Sequence, residues 1–251
     1  MRLIVFTDLD GTLLDHQTYD AQPARPMLER LAAREVPVIL ASSKTAAEIA
    51  VWQRDLGLGH WPAIVENGAA LAEGAFDDRA YRRIRAALAE IGAPFRGFGD
   101  MGTAEVAALT GLAPQAARLA QTRAHSEPGL WLGTEAGLPA FLDALKARGI
   151  TARRGGRFLT LSHGGTKAGR MADLAARFDA DTSIALGDAP NDAEMLASAD
   201  WAVVVRNDHG PGIAPLPDEA RVIRTRAAGP AGWREGMAAV LDRLGIGETD
   251  G

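Results

Sequence analysis

The sequence predicts an α/β protein: a doubly wound parallel sheet of Rossmann-like type, interrupted by an inserted α+β unit. Three observations carry this. Short apolar runs each stop at a polar loop, stretches of helical spacing separate them, and the character of the chain changes between about residue 78 and residue 165. Leu3 to Phe6 is the first run and stops at Asp8; Pro37 to Ala41 is the second and stops at Ser42-Ser43. Between them, Pro26 to Ala33 carries apolar residues at helical spacing, and Thr45-x-x-Glu48 is a capping-box pattern that opens the next helix. Ala63 to Val65 continues the alternation, and Asn67-Gly68 offers the turn chemistry of a tight hairpin. The interruption reads as helices at Arg79 to Ile91, Gln115 to Gln121 and Leu138 to Arg148, then two β-like segments, Ile150 to Arg153 and Arg157 to Ser162, split by Gly155-Gly156. Ser183 to Leu186 resumes the sheet, Pro190 suits a first helical turn, and Ala202 to Val205 is a further strand. The expected division is a core over 1–77, a cap over 78–165 and the rest of the core over 166–251.

Composition narrows the function. With 251 residues, 47% of them hydrophobic and 24% charged, the chain is long enough and apolar enough to bury a sizeable core, which excludes a mainly disordered protein. A net charge of -5 supplies no overall positive field for nucleic acid or an anionic membrane, so neither is expected as a partner. The absence of cysteine removes disulfides, thiolate metal sites and a thiol nucleophile. The apolar start is too short for the core of a signal peptide, and no run approaches the length of a membrane span, so a cytoplasmic protein, monomer or homodimer, is expected. The five tryptophans read as core or interface residues.

In an open parallel sheet, ligands bind beyond the carboxyl ends of the strands, so the residues after each run test for a site. They are Asp8-Leu9-Asp10-Gly11-Thr12, then Ser42-Ser43-Lys44, then Glu66-Asn67-Gly68, then Gly187-Asp188-Ala189-Pro190-Asn191-Asp192, with Lys167 at a helix start ahead of the last. Each has an ordinary reading alone: Asp-x-Asp-Gly as a turn, the serines as caps, Lys167 as a solvated lysine, Asp188 and Asp192 as a cap and a first-turn acid. Their coincidence favours one reaction, phosphoryl transfer through an aspartyl-phosphate. A carboxylate attacks phosphorus only if the substrate's charge is cancelled, which calls for a hard divalent cation such as Mg²⁺ on oxygen ligands; Asp8 and Asp188 are the candidate side chains. The backbone N–H groups of the Asp8–Asp10 loop around Leu9, the Ser42 hydroxyl and the Lys167 ammonium would stabilise charge on the equatorial oxygens. Asp10 would protonate the leaving alkoxide and then deprotonate the attacking water.

Phe6-Thr7-Asp8-Leu9-Asp10-Gly11-Thr12-Leu13-Leu14, Ser42, Lys167 and Gly187-Asp188-x-x-Asn191-Asp192 resemble, in order and spacing, the four motifs of the haloacid dehalogenase-like phosphatases. The resemblance implies Asp8 as nucleophile, Asp10 as acid/base that also binds metal through its backbone carbonyl, and Asp188 and Asp192 as completing the Mg²⁺ site with Asn191 in support. It also implies that the insert is a C2-type cap closing over substrate. Ser42-Ser43-Lys44-Thr45, Glu66-Asn67-Gly68-Ala69, Arg123-Ala124-His125-Ser126-Glu127-Pro128 and Gly156-Arg157-Phe158 further resemble the mannosyl-3-phosphoglycerate phosphatase family. His125, Gly129 and Ala189 depart from that family's tyrosine, phenylalanine and serine, and leave the sugar open.

What the closer resemblance implies is a Mg²⁺-dependent phosphatase of mannosyl- or glucosyl-3-phosphoglycerate, a small phosphorylated sugar-acid, yielding a glycosylglycerate of the compatible-solute class. Ser43, Lys44, Asn67, Arg123, Ser126 and Glu127 are the expected substrate contacts, with Arg123 or Lys44 pairing the carboxylate and Ser126 and Glu127 meeting sugar hydroxyls. Arg153, Arg154 and Arg157 are weaker candidates. A phosphatase of another sugar phosphate, a phosphomutase, and a non-catalytic phospho-ligand sensor are the alternatives. Retention of both Asp8 and Asp10 argues against the sensor.

Overall fold

A computed structural model describes residues 1–155 and 157–247. Gly156, the second glycine of the expected cap turn and the first residue of the Gly156-Arg157-Phe158 motif, lies outside the described residues. In chain order the elements are β1 (Leu3–Thr7), α1 (Arg25–Ala32), β2 (Val38–Leu40), α2 (Ala46–Asp55), β3 (Ala63–Val65) and β4 (Ala70–Ala72). Next come α3 (Arg79–Ile91), β5 (Phe95–Gly97), α4 (Thr103–Thr110), α5 (Pro114–Ala120), β6 (Ser126–Trp131), α6 (Leu138–Lys146), β7 (Thr151–Gly155) and β8 (Phe158–Ser162). The last group is α7 (Lys167–Arg177), β9 (Thr182–Gly187), α8 (Ala193–Ser198), β10 (Trp201–Arg206), β11 (Val222–Ala228) and α9 (Gly229–Arg243).

The main sheet has the order β11-β10-β9-β1-β2, with every pairing parallel. Alternation along its strands sorts side chains onto two faces. Leu3, Val5, Val38, Leu40, Ile184, Leu186 and Val203 pack with Met27, Leu28, Leu31, Trp233 and Met237 of α1 and α9. Ile4, Phe6, Ile39, Ala185, Ala202 and Val204 pack with Met171, Leu174, Met195 and Leu196 of α7 and α8. A sheet covered on both faces needs strands that are apolar on both sides, which is why the runs read as continuous and not alternating. Beyond β2, the parallel bridge Ala41↔Ile64 attaches the antiparallel hairpin β3–β4, turned at the expected Asn67-Gly68.

The insert forms a second, antiparallel sheet of order β5-β6-β8-β7. Its core joins Ile84, Phe141, Leu145, Leu159 and Leu161, with α3 and α6 on one side; Phe98, Met101, Val106 and Ala117 make a smaller cluster around α4 and α5. Several elements go beyond the sequence reading. β6 holds Pro128-Gly129, a pair that argues against an interior strand, yet it lies between β5 and β8 with Pro128 opposite Thr160. β11 mixes arginines with apolar residues at the sheet edge, and α9 opens on Gly229-Pro230-Ala231-Gly232, a poor helical signal. The capping box of α2 is formed: Thr45 Oγ1 accepts from the Glu48 amide at 3.2 Å, and the Glu48 carboxylate accepts from the Thr45 amide at 2.8 Å. No described helix is long and apolar enough to cross a membrane.

Candidate active site

β1 is flanked by β2 on one side and β9 on the other, so the chain turns opposite ways from its two edges and leaves a crevice at the carboxyl end of β1. Asp8 is the first residue past that end, anchored by its amide donating to the Leu186 carbonyl of β9 at 2.9 Å. Thr7 Oγ1 donates to the Asp8 carbonyl at 2.7 Å and itself receives the Trp233 indole N–H at 3.0 Å, so a buried aromatic of α9 braces the loop from behind.

Lys167 opens α7 and lies buried between two carboxylates, 2.6 Å from Asp8 Oδ1 and 2.7 Å from Asp192 Oδ1. Ligand oxygens of Asp8, Asp188 and Asp192 all lie within 4.8 Å of one another. Asp188 is held by Thr12 Oγ1 at 2.7 Å and by Asn207 Nδ2 at 2.7 Å. Gly11 makes this approach possible: a Cβ there would stand 2.7 Å from Asp188 Oδ2, and its φ of +82° is a conformation glycine adopts without strain. Gly187 plays the same part behind Asp192, where a Cβ would meet the Asp192 Cβ at 2.5 Å.

Three buried carboxylates share one ammonium, so the cluster carries excess negative charge. Burial, and then Asp192 nearby, push the Asp8 carboxyl well above the usual range, although Lys167 works against them. Asp188 is pushed up to about 6, first by burial, with Thr12 opposing and Asp192 adding. Burial opposes the charge on Lys167, but Asp192 and Asp8 outweigh it and keep the ammonium. A group of clustered, hard oxygen donors with surplus charge suits a divalent cation such as Mg²⁺. Asp8, Asp188 and Asp192 are the side chains that could hold it, and each already has polar partners, Asp8 in Lys167 and Asp188 in Thr12 and Asn207. The Asp192 oxygens are already engaged, Oδ1 by Lys167 and Asn191 and Oδ2 by the backbone amides of Asp188 and Ala189. The Asp10 side chain stands apart from this cluster: its Oδ2 pairs with Lys44 Nζ at 2.8 Å, while its buried Oδ1 has no partner among the described residues. Any hold of Asp10 on the cation therefore rests on its backbone.

Ser42 is buried at the end of the β2 run, its amide bound to the Ile64 carbonyl. Two adjoining cavities of about 370 and 390 Å³ lie between this floor and the cap. Asn67, Gly155, Thr160 and Asn191 line both; Lys167 opens into the first, and Asp10, Ser43, Lys44 and Arg123 into the second. Tyr19, which sequence reasoning passes over, also lines the second and lies under Lys44, with the ammonium 5.6 Å from the ring centroid.

Of the cap residues expected at the substrate, Arg123 lines the second cavity, whereas Ser126 and Glu127 line neither. Arg123 and Ser126 are bound to Glu66 of the core: Arg123 Nε lies 3.2 Å from Glu66 Oε2, and Ser126 Oγ donates to that oxygen at 2.7 Å. The Glu127 carboxylate turns into the cap, accepting from the Gly99 amide at 2.8 Å near Arg85, and does not line either cavity. The resemblance of the 123–128 segment implies that Glu127 meets sugar hydroxyls together with Ser126, but strand alternation sends these neighbours to opposite faces. Arg153 lines the first cavity and reaches Glu194 across the cleft at 3.5 Å. Thr12, Glu66 and Asn207, like Tyr19, are given no role by the sequence reading. Asn207 follows the carboxyl end of β10, so the same strand-end test, carried one strand further, finds it.

A parallel sheet with an inserted antiparallel cap is also the fold of solved haloacid dehalogenase-like proteins. Residues 5–86 match the model of the haloacid dehalogenase-like hydrolase family. Among solved structures, the chain is similar to BT1666 from Bacteroides thetaiotaomicron, described among phosphatases of the haloalkanoate enzyme superfamily, with 17% identity over 98% of this chain and 96% of that one and a TM-score of 0.63. It is similar to the subclass IIB sugar phosphatase BT4131, with 18% identity over 98% of this chain and 100% of that one and a TM-score of 0.63. It is also similar to TM0651 from Thermotoga maritima, with 17% identity over 97% of each chain and a TM-score of 0.65.

Proposed function

We propose that the chain is a Mg²⁺-dependent phosphatase of a small phosphorylated sugar-acid, mannosyl-3-phosphoglycerate or its glucosyl counterpart. The observation that carries the reading is the meeting of Asp8, Lys167, Asp188 and Asp192 in one buried cluster, with Asp10 paired to Lys44 in the adjoining cavity. The match of residues 5–86 to a hydrolase family and the likeness to a sugar phosphatase support the class of reaction. The finer choice of substrate is supported by the sequence motifs at 42–45, 66–69 and 123–128 and by the cleft's mixture of Lys44, Arg153, Tyr19 and hydroxyl side chains.

In this reading Asp8 attacks phosphorus, forming an acyl phosphate as the bond to the leaving oxygen breaks, and Asp10 gives that oxygen its proton. Asp10, again a carboxylate, takes a proton from water, whose oxygen attacks the phosphorus and releases inorganic phosphate and the free Asp8 carboxylate. Lys167 faces the transferring oxygens and Asp192 fixes it between itself and Asp8; the Ser42 hydroxyl, which accepts from the Lys44 amide at 3.3 Å, is the further donor this reading assigns to those oxygens. Mg²⁺, when bound, cancels the repulsion between the nucleophile and the substrate's oxygens. Lys44 holds Asp10 at the point where the leaving oxygen departs, and its charge favours a leaving group that carries a carboxylate, such as a glycosylglycerate.

A phosphate-release screen with Mg²⁺ tests the reading, comparing mannosyl- and glucosyl-3-phosphoglycerate with hexose phosphates and sucrose phosphate. The expected result is highest kcat/KM on a glycosyl-3-phosphoglycerate. Faster release from neutral-aglycone sugar phosphates removes the proposed substrate while leaving a phosphatase. Isomerised sugar phosphate without release makes the chain a mutase.

A further inference from the structure

The turn that joins β3 to β4 touches three parts of the molecule at once. Glu66 is only 2% exposed and has a φ of +51°, a left-handed conformation that is uncommon and strained for a residue with a long side chain. That conformation sends its carboxylate out of the core and into the cap. There it accepts from the Ala124 amide at 3.0 Å, the His125 amide at 3.2 Å and Ser126 Oγ at 2.7 Å, with the Arg123 guanidinium 3.2 Å away. Arg123 also donates to Ser126 Oγ at 2.7 Å, closing the cluster. Burial works against the Glu66 charge, but Arg123, Ser126 and the Ala124 amide prevail and hold its pKa below the usual value.

The same turn is fixed to the reaction centre through backbone alone. The Glu66 amide donates to the Lys44 carbonyl and the Asn67 amide to the Ser42 carbonyl, each at 2.9 Å. Gly68 presses on the start of α7: a Cβ there would stand 2.1 Å from the Thr166 carbonyl carbon and 2.4 Å from the Lys167 nitrogen. Gly165 returns the contact, where a Cβ would lie 2.4 Å from the Gly68 carbonyl oxygen.

We infer that Glu66 is a positioning residue: its carboxylate sets the register of the cap on the floor formed by Ser42, Lys44 and Lys167, and so selects for substrates long enough to touch both. The inference deepens the phosphatase reading and rests on it. The side chain serves the cap and the backbone serves the floor, so the two can be perturbed separately. Removing the Glu66 side chain frees the 123–126 segment without altering the turn, whereas a side chain at position 68 displaces α7 and with it Lys167.

The test compares acetyl phosphate, which occupies only the floor, with mannosyl-3-phosphoglycerate, in Glu66→Ala and Gly68→Ala. For Glu66→Ala, kcat/KM on the sugar-acid falls at least tenfold, mostly through KM, while that on acetyl phosphate falls less than threefold. For Gly68→Ala both fall together. Amide hydrogen exchange at Ala124 and His125 rises at least tenfold in Glu66→Ala, since their acceptor is gone. Equal losses on the two substrates in Glu66→Ala, or unchanged exchange at 124 and 125, overturn the inference. If Glu66→Ala does not fold, Ser126→Ala, which removes one hydrogen bond from the same carboxylate, must show the same skew between substrates. If the unaltered chain releases phosphate from neither compound, it is the phosphatase reading that fails, and the exchange measurement then decides the contact alone.

Discussion

The surplus charge around Asp188 makes a prediction about stability that needs no substrate. Its carboxyl moves from 3.8 to about 6 in the folded protein because burial penalises the ion. A folded-state pKa above the unfolded value means that the folded protein binds the proton more tightly. The contribution is therefore favourable to folding at low pH, declines as pH rises from 3.8, and reaches its full cost above about 6. That difference corresponds to a penalty of about 3 kcal/mol at pH 7.5 in the absence of a cation. The raised Asp8 carboxyl acts in the same direction. Replacing Asp188 by Asn removes the charge and keeps an oxygen for Thr12 Oγ1, at the loss of a charge-assisted bond from Asn207. Urea unfolding at pH 7.5 in EDTA is expected to find Asp188→Asn more stable than the unaltered chain by about 2 kcal/mol. Added Mg²⁺ at a hundred times its dissociation constant should return about 2.7 kcal/mol to the unaltered chain and little to the variant. At pH 5 the EDTA gap should shrink. A variant less stable than its parent in EDTA at pH 7.5, or a parent indifferent to Mg²⁺, refutes the electrostatic account of the cluster.

Three further outcomes follow from the same geometry. Asp8→Asn should abolish phosphate release while the far-UV spectrum is unchanged; wild-type turnover with Mg²⁺ present would show the nucleophile to be misassigned. Lys167→Met strands two buried carboxylates 2.6 and 2.7 Å from the lost ammonium, and should cost about 3–5 kcal/mol in urea unfolding in EDTA; a loss under about 1 kcal/mol contradicts the buried pairing. Gly187→Ala places a methyl against Asp192, so it should lower both stability, by about 1–3 kcal/mol, and phosphate release, as read by thermal unfolding and by a phosphate assay; an inert substitution means that the close approach is not required.

The core was legible in the sequence because its signals are local. Leu3 to Phe6, Pro37 to Ala41 and Ser183 to Leu186 are apolar on both faces, which only a doubly covered sheet demands, and each ends at the residues now found around the crevice. Thr45 and Glu48 announce α2 by side chains that bond within one turn. The cap was less legible because its strands are made by partners. Pro128-Gly129 has no strand propensity of its own and is held by β5 and β8 on either side. The pairing of Glu66 with Arg123 could not be read either, since 57 positions separate them and only the tertiary fold brings a core turn to a cap loop. Glu127 marks the limit of reading by adjacency: its neighbour Ser126 faces Glu66, and it faces the opposite way.

The placement of β1 between β2 and β9 bears on how the protein is made. Val5 meets Val38 within the first forty residues, but Leu3 meets Thr182 only after nearly three quarters of the chain has been synthesised. Until then one edge of the nascent strand has no neighbour, and loop closure over such a span is slow compared with local pairing. Asp8 therefore gains its neighbours Lys167, Asp188 and Asp192 only once the segment ending at Asp192 has been made.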